Sequence, residues 1–353
     1  MPTEEAVRCA VERFSLPRGP ARIVRLSDLR SGVGCGVIPE AGAEIASLRI
    51  RCGRRWREIL YRALTYADPA PDGWDGRAPL LWPVCGRTNT PEQIARARRD
   101  GKPPRPFQYR LGGRLYPMKM HGFVRQMSWD LLDYGTRSGR AFVVCGLSSS
   151  PSTRRYYPFD WRLEVRHQVG AGSVASRYEV SAGADNDGPM PFTIGNHVGF
   201  VLPMISRASF DDCTVRTPGN RQFLFDAFAV PTGHWRRRDC SRPVPMSTGI
   251  WADTFLGGYT RRTAWAEIAE PGGLVVRISQ FERPRNGIYF SRERDLHFCF
   301  WGSPGLGYFC PEPWIGEPNA LNTRRGLIEL PPGGRFTWEM RMRFRRPDDR
   351  ASG

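Results

Sequence analysis

No run in the 353 residues approaches the ~18 consecutive apolar residues of a membrane-spanning helix. The first 17 residues carry Glu4, Glu5, Arg8, Glu12 and Arg13 and have no apolar core behind a basic start, so they do not read as a secretory leader. Cysteine is present nine times, an odd number with no CxxC pair, which excludes a zinc ribbon and argues against a disulfide framework. Reduced thiols in a cytoplasmic protein are the expectation, with no membrane partner. Lysine is nearly missing: of 52 basic residues only Lys102 and Lys119 are not arginine. Histidine is scarce too, at His121, His167, His197, His234 and His297, which leaves few groups that titrate near neutral pH.

What is present is an ordinary globular composition, 40% hydrophobic and 25% charged, which excludes disordered, collagen-like and coiled-coil classes. The formal charge of +17 suggests a polyanionic partner at first sight. The arginines, however, run from end to end. The clusters Arg51 to Arg57, Arg236 to Arg238 and Arg341 to Arg346 are short, and aromatics are not regularly interleaved with them. Charge is the only part of a nucleic-acid-binding signature present, so no nucleic-acid partner is expected. An anionic small substrate stays open.

Gly at 38 positions and Pro at 31 point to short strands joined by turns. Ile23 to Leu26, Glu44 to Arg51 and Ala141 to Leu147 read as strands. So do Trp161 to Val169, Leu274 to Ile278 and Arg335 to Arg343, the last with Phe336, Trp338, Met340 and Met342 on one face. One helix is signalled: Thr90 caps it, Pro91 opens it, Gln93 completes a capping box and Asp100-Gly101 ends it. The expectation is an all-β chain, a single β-sandwich domain over residues 1–353 with a few short helices.

Four segments hold candidate chemistry. His121 precedes Gly122, and His197 lies in Gly195-Asn196-His197-Val198-Gly199; such a histidine is accessible and held by backbone, which suits proton transfer. A structural histidine is the competing reading for each. Glu312 stands between Pro311 and Pro313 with Trp314 beside it, a setting that raises a carboxyl pKa unless the loop is solvated. Arg87 follows the tight turn at Gly86 and can present its donor fork to hydroxyl oxygens, or be one more surface arginine. His167, within an alternating strand, is expected at the surface, and nothing singles out His234 or His297.

In order along the chain, Gly86-Arg87 with Asn89, Leu115-Tyr116-Pro117-Met118, His121-Gly122-Phe123, Tyr157-Pro158-Phe159, Gly195-Asn196-His197, Ala252-Asp253-Thr254 and Glu312-Pro313-Trp314 with Pro318-Asn319 resemble the aldose 1-epimerase (galactose mutarotase-like) family over residues 35–345. That resemblance implies a β-supersandwich with an open sugar cleft, no cofactor and no metal. It implies Glu312 as general base, His197 as general acid and His121 as the histidine that polarises the sugar near its ring oxygen. Arg87, Asn89 and Asp253 would bind sugar hydroxyls, with Trp314 or Trp82 stacking on the ring. The partner is then a small sugar or sugar phosphate, a hexose-phosphate 1-epimerase and a non-catalytic carbohydrate-binding protein being the alternatives. Two or more arginines opposite Glu312 would favour the phosphate. Two segments depart from the family pattern, the helix Thr90 to Asp100 with its Pro-rich tail and Gly287 to Arg294. Both are expected at the cleft, as a lid selecting a larger or anionic sugar. The oligomeric state is not legible.

Overall fold

The fold follows from strict alternation in its longest strands. In Trp161–Gly170 the odd-numbered residues Trp161, Leu163, Val165, His167 and Val169 are buried while the even-numbered ones face outward, bar the terminal Gly170. In Arg335–Arg345 the row Phe336, Trp338, Met340 and Met342 is almost fully buried. A period of two places each row on one sheet face, and burying that row against a second sheet drives folding. The computed structural model describes residues 6–17, 19–62 and 74–346; Glu4 and Glu5 lie outside the described residues.

These strands are neighbours in a nine-stranded antiparallel sheet. Its order is Val244–Pro245, Thr214–Arg216, Trp265–Ala269, Val275–Arg283, Arg335–Arg345, Ser173–Ala182, Trp161–Gly170, Arg140–Ser148 and Asp130–Arg137. An eight-stranded sheet runs Pro231–Arg237, Arg221–Phe225, Asp253–Gly257, Leu296–Ser303, Tyr308–Ile315, Ile194–Asn196 and Leu80–Leu81, with Phe200–Val201 paired to Tyr308–Ile315. Five strands from Val7 to Glu58 form a meander. One continuous core draws on all three sheets. Between the two larger sheets the buried amide of Gln280 acts as a polar pin. Its Nε2 donates to the carbonyls of His297 at 2.7 Å and Trp314 at 3.3 Å, and its Oε1 accepts from Trp338 Nε1 at 3.3 Å.

The sequence-derived strands all appear, mostly longer by a residue or more. Ile23 to Leu26 is the middle of Gly19–Asp28, and the acidic and basic segment at the N-terminus is itself a strand, Val7–Leu16. The helix spans Pro91–Asp100, with Thr90 Oγ1 accepting from Gln93 N and Gly101 in the left-handed region. All nine cysteines are free thiols. No helix among the described residues is long and apolar enough to cross a membrane.

One expectation is overturned. His167 is not at the surface but fully buried, because it shares the inward parity of Leu163 and Val165. Its ring bridges Ser176 Oγ at 2.8 Å and the Ala43 carbonyl at 2.9 Å, so both nitrogens are satisfied. Burial pushes its pKa down to about 4.

Candidate active site

Glu312 lies in the strand Tyr308–Ile315, every residue of which is buried. A strand covered on both faces loses its alternation, which is why the Pro-Glu-Pro run resembles a loop in sequence. The neighbouring strand Ile194–Asn196 lies tightly against it: a Cβ at Gly195 would stand 2.7 Å from the Trp314 ring and 2.9 Å from Cys85 Sγ. That close approach delivers the following residue, His197, to the carboxyl. His197 Nε2 is 3.4 Å from Glu312 Oε1, while Trp314 Nε1 donates to Glu312 Oε2 at 3.2 Å.

His121 arrives from a different element by backbone strain. Its φ is 63° and that of Gly122 is 76°. A Cβ on Gly122 would fall 1.9 Å from the Trp82 carbonyl, so no other residue fits there. The turn is locked to Gly86: His121 N donates to the Gly86 carbonyl at 2.9 Å, and Gly86 N donates to His121 Nδ1 at 3.1 Å. With Nδ1 accepting, the neutral ring carries its proton on Nε2 as a donor. The His121 and His197 rings meet edge to face at 5.4 Å.

These groups face a cavity of about 370 Å³, a size typical of small-molecule sites. Glu312, His197, His121, Arg87, Asp253 and Trp314 all line it. Asn89 does not. Its side chain is buried and donates to the Pro104 carbonyl, and its N–H donates to Asn319 Oδ1, so it ties two loops together instead of meeting a ligand. Trp82 is likewise a core residue, packed on Tyr157 and Trp161. The described residues of neither insertion line the cavity. The helix reaches it only indirectly, through Arg98, which pairs with Asp226 at 2.9 Å in the turn that carries Ala229 to the cavity rim.

Sequence reasoning missed the aromatic walls. Trp74 stacks on His197 at 4.5 Å and 25°, and Trp301 meets the same ring edge-on at 5.9 Å. Phe225, Phe255 and Cys299 complete that side. Cys299 is the cross-strand partner of Glu312, and Trp301 sits two residues on, so strand register would have found them once the pairing was known.

Electrostatically the cavity drives its groups away from bulk behaviour. Burial raises Glu312 well above the usual carboxylate range; the Trp314 hydrogen bond opposes this and the Asp253 charge adds to it. Burial pushes His197 down to about 3, with the Arg125 charge contributing. Burial also lowers His121, helped by the charges of His197, Arg125 and Arg87. With Glu312 pushed up and His197 pushed down, the two groups in contact favour a state with one proton between them. In its neutral form the pair is a carboxylic acid and an imidazole; moving the proton across the contact gives a carboxylate and an imidazolium. The face of Trp74 favours that imidazolium by cation–π attraction. Separately, the ligand atoms of His197, Cys310 and Glu312 lie within 4.8 Å of one another, an N, S and O set able to hold a soft divalent ion.

The fold matches solved galactose mutarotase-like folds. A galactose mutarotase-like protein from Clostridium acetobutylicum superposes with a TM-score of 0.73 over 96% of this chain and 99% of that one, at 15% identity. A galactose 1-epimerase from Lactobacillus acidophilus NCFM does so with a TM-score of 0.66 over 96% and 99%, at 12% identity. The family model described as aldose 1-epimerase matches residues 34–343, and the chain belongs to that family. Protein LacX of Lactococcus lactis subsp. lactis is 25% identical over 171 residues, 48% of this chain and 49% of that protein. The chain thus spans about half the length of the curated relatives it matches.

Proposed function

We propose that the chain interconverts the α and β anomers of an aldose by acid–base ring opening. The observation that carries this reading is the 3.4 Å contact between Glu312 and His197 inside a cavity whose other polar walls are His121, Arg87 and Asp253. From the one-proton state, the Glu312 carboxylate removes the proton of the anomeric hydroxyl. His197 delivers its proton to the ring oxygen, the C1–O5 bond breaks and an aldehyde forms. Rotation about C1–C2 turns the other carbonyl face to the hydroxyl at C5. On closure Glu312 gives its proton to the carbonyl oxygen, which becomes the new anomeric hydroxyl, and His197 takes the proton of the C5 hydroxyl, so none is gained or lost.

Raising Glu312 strengthens its carboxylate as a base, and lowering His197 strengthens its imidazolium as an acid, so burial steepens both transfers. His121 donates from Nε2 toward the ring-oxygen side, and Arg87 and Asp253 hold the remaining hydroxyls so that only C1 turns. Arg87 is the one arginine among the described residues lining this cavity, which favours an uncharged reacting ring over a phosphate bound beside Glu312. A purely binding role would have no use for the proton pair.

The test follows anomeric interconversion of freshly dissolved hexoses by proton NMR. Wild type accelerates it, and Glu312→Gln loses at least about 100-fold of that acceleration with an unchanged near-UV circular dichroism spectrum. Equal rates in the two proteins would refute the reading.

A further inference from the structure

Behind one wall of the reaction cavity lies a second cavity of about 520 Å³. Strand Arg221–Phe225 serves both: Arg221 and Phe223 line the second cavity and Phe225 the first. Phe223 packs edge to face on Phe255 of the reaction cavity at 5.9 Å. The loop after Ile315 is shared in the same way, with Glu317 facing the second cavity and Pro318 the first. The unusual feature is charge. Arg221, Arg292, Arg294, Arg324 and Arg325 all line this space, against Asp295, Glu317 and Glu329.

Three of these guanidinium groups are matched. Arg324 pairs with Glu329, Arg325 lies 3.9 Å from Glu317, and Arg294 lies 3.9 Å from Asp295. Arg325 is also seated by Gly233, where a Cβ would come within 2.9 Å of both its terminal nitrogens. Arg221 and Arg292 have no carboxylate within ion-pair distance among the described residues, although the Arg292 charge acts on Asp295 from farther off; five guanidinium groups thus face three carboxylates, an excess of two positive charges. Beside them stands Trp235, half exposed at 50%, with the Arg221 guanidinium 5.0 Å over its ring.

We propose that this second cavity binds the phosphate group of a phosphorylated saccharide, Arg221 and Arg292 holding the phosphate and Trp235 stacking on an apolar sugar face. A phosphate monoester carries about two negative charges at neutral pH, which matches the excess, and guanidinium forks fit its oxygens. An exposed indole beside them supplies the flat apolar surface on which the less polar face of a sugar ring rests. Three of the residues that line the site, Phe290, Arg292 and Arg294, come from the 287–294 segment, whose expected role in recognising an anionic sugar is thereby relocated from the reaction cleft to its neighbour. The saccharide half of this inference rests on the sugar-handling reading above; the phosphate half does not.

The experiment is calorimetric titration of the whole protein at constant ionic strength, without turnover, using inorganic phosphate, glucose 6-phosphate and glucose as probes. Phosphate binds wild type saturably, and Arg221→Ala/Arg292→Ala weakens it tenfold or more. Arg54→Ala, which removes an exposed arginine elsewhere, and Arg87→Ala, in the reaction cavity, leave it within twofold. Equal losses in Arg54→Ala would mean nonspecific charge, and a loss confined to Arg87→Ala would place the anion in the reaction cavity; either overturns the proposal. Glucose 6-phosphate binds more tightly than phosphate, and Trp235→Ala removes that advantage; no advantage, or none lost, would restrict the site to free phosphate and overturn the saccharide half. Anomerisation of neutral hexoses by Arg221→Ala/Arg292→Ala stays at the wild-type rate, so failure here is distinct from failure of the epimerase reading.

Discussion

The nine-stranded and eight-stranded sheets bury histidines to opposite ends. In the first, His167 has both ring nitrogens bonded, to Ser176 and Ala43, and faces only core. At the second, His197, just past the strand Ile194–Asn196, is also buried, yet its Nδ1 has no partner among the described residues and its Nε2 meets Glu312 at a cavity wall. Burial depresses both, to about 4 and about 3, so the pKa shift alone does not separate the structural group from the functional one. What separates them is hydrogen-bonding capacity left open toward a space that a ligand can enter.

The largest effect that would sharpen this contrast is kinetic. His197→Ala is expected to lower anomerisation by a factor on the order of 10²–10⁴ while leaving the melting temperature close to wild type, measured by NMR and calorimetry. His167→Ala should do the reverse. Leaving Ala43 and Ser176 unpaired in the core costs about 1–3 kcal/mol of stability, read by urea unfolding, with an unchanged rate per folded molecule. Swapped outcomes would break the comparison.

The same pair differs in pH response. The folded pKa of His167 lies below its unfolded value of about 6.5, so the stability it contributes is complete above that pH and lost as pH falls toward about 4. The stability gap between wild type and His167→Ala should therefore widen as pH rises from about 4 to about 6.5 and be flat above. For the reaction pair, the Asp253 charge raises Glu312, so Asp253→Asn lowers the pH at which the pair loses its one proton. The alkaline limb of the kcat/KM profile then moves to lower pH, whatever the variant does to KM; an unmoved limb would remove Asp253 from the electrostatics of the pair.

The smallest effect concerns the helix Pro91–Asp100. Its Arg98–Asp226 pair is solvent-exposed on the arginine side and reaches the cavity only through a turn. Arg98→Ala should change stability by less than about 1 kcal/mol and kcat/KM by less than about fivefold. A large change in substrate preference would restore the helix as a lid.

Legibility in the sequence divides along the same line. The nine-stranded sheet is legible because one face of each long strand is apolar, and parity even places His167, whose reading as a surface residue went against the row of Leu163 and Val165. The eight-stranded sheet includes the short pieces Leu80–Leu81, Phe200–Val201 and Ile194–Asn196 and the fully buried Tyr308–Ile315, which show no period to read. There the residues came from motif order, and six of the eight singled out line one cavity; Asn89, part of the Gly86-Arg87 motif, points away, and Trp82 is packed in the core. Trp301 and Cys299 were invisible because register across a strand pair is a long-range property, and Trp74 lies outside any strand, with no periodicity to mark it.

The most direct test of this account is the ionisation of Glu312 itself, followed as the carboxylic-acid band in infrared difference spectra of wild type against Glu312→Gln across a pH titration. A buried carboxyl coupled to His197 predicts that the protonated band persists well above pH 4.5 and retreats to lower pH in Asp253→Asn. A band lost by about pH 4.5 in wild type, as for an exposed glutamate, would contradict it.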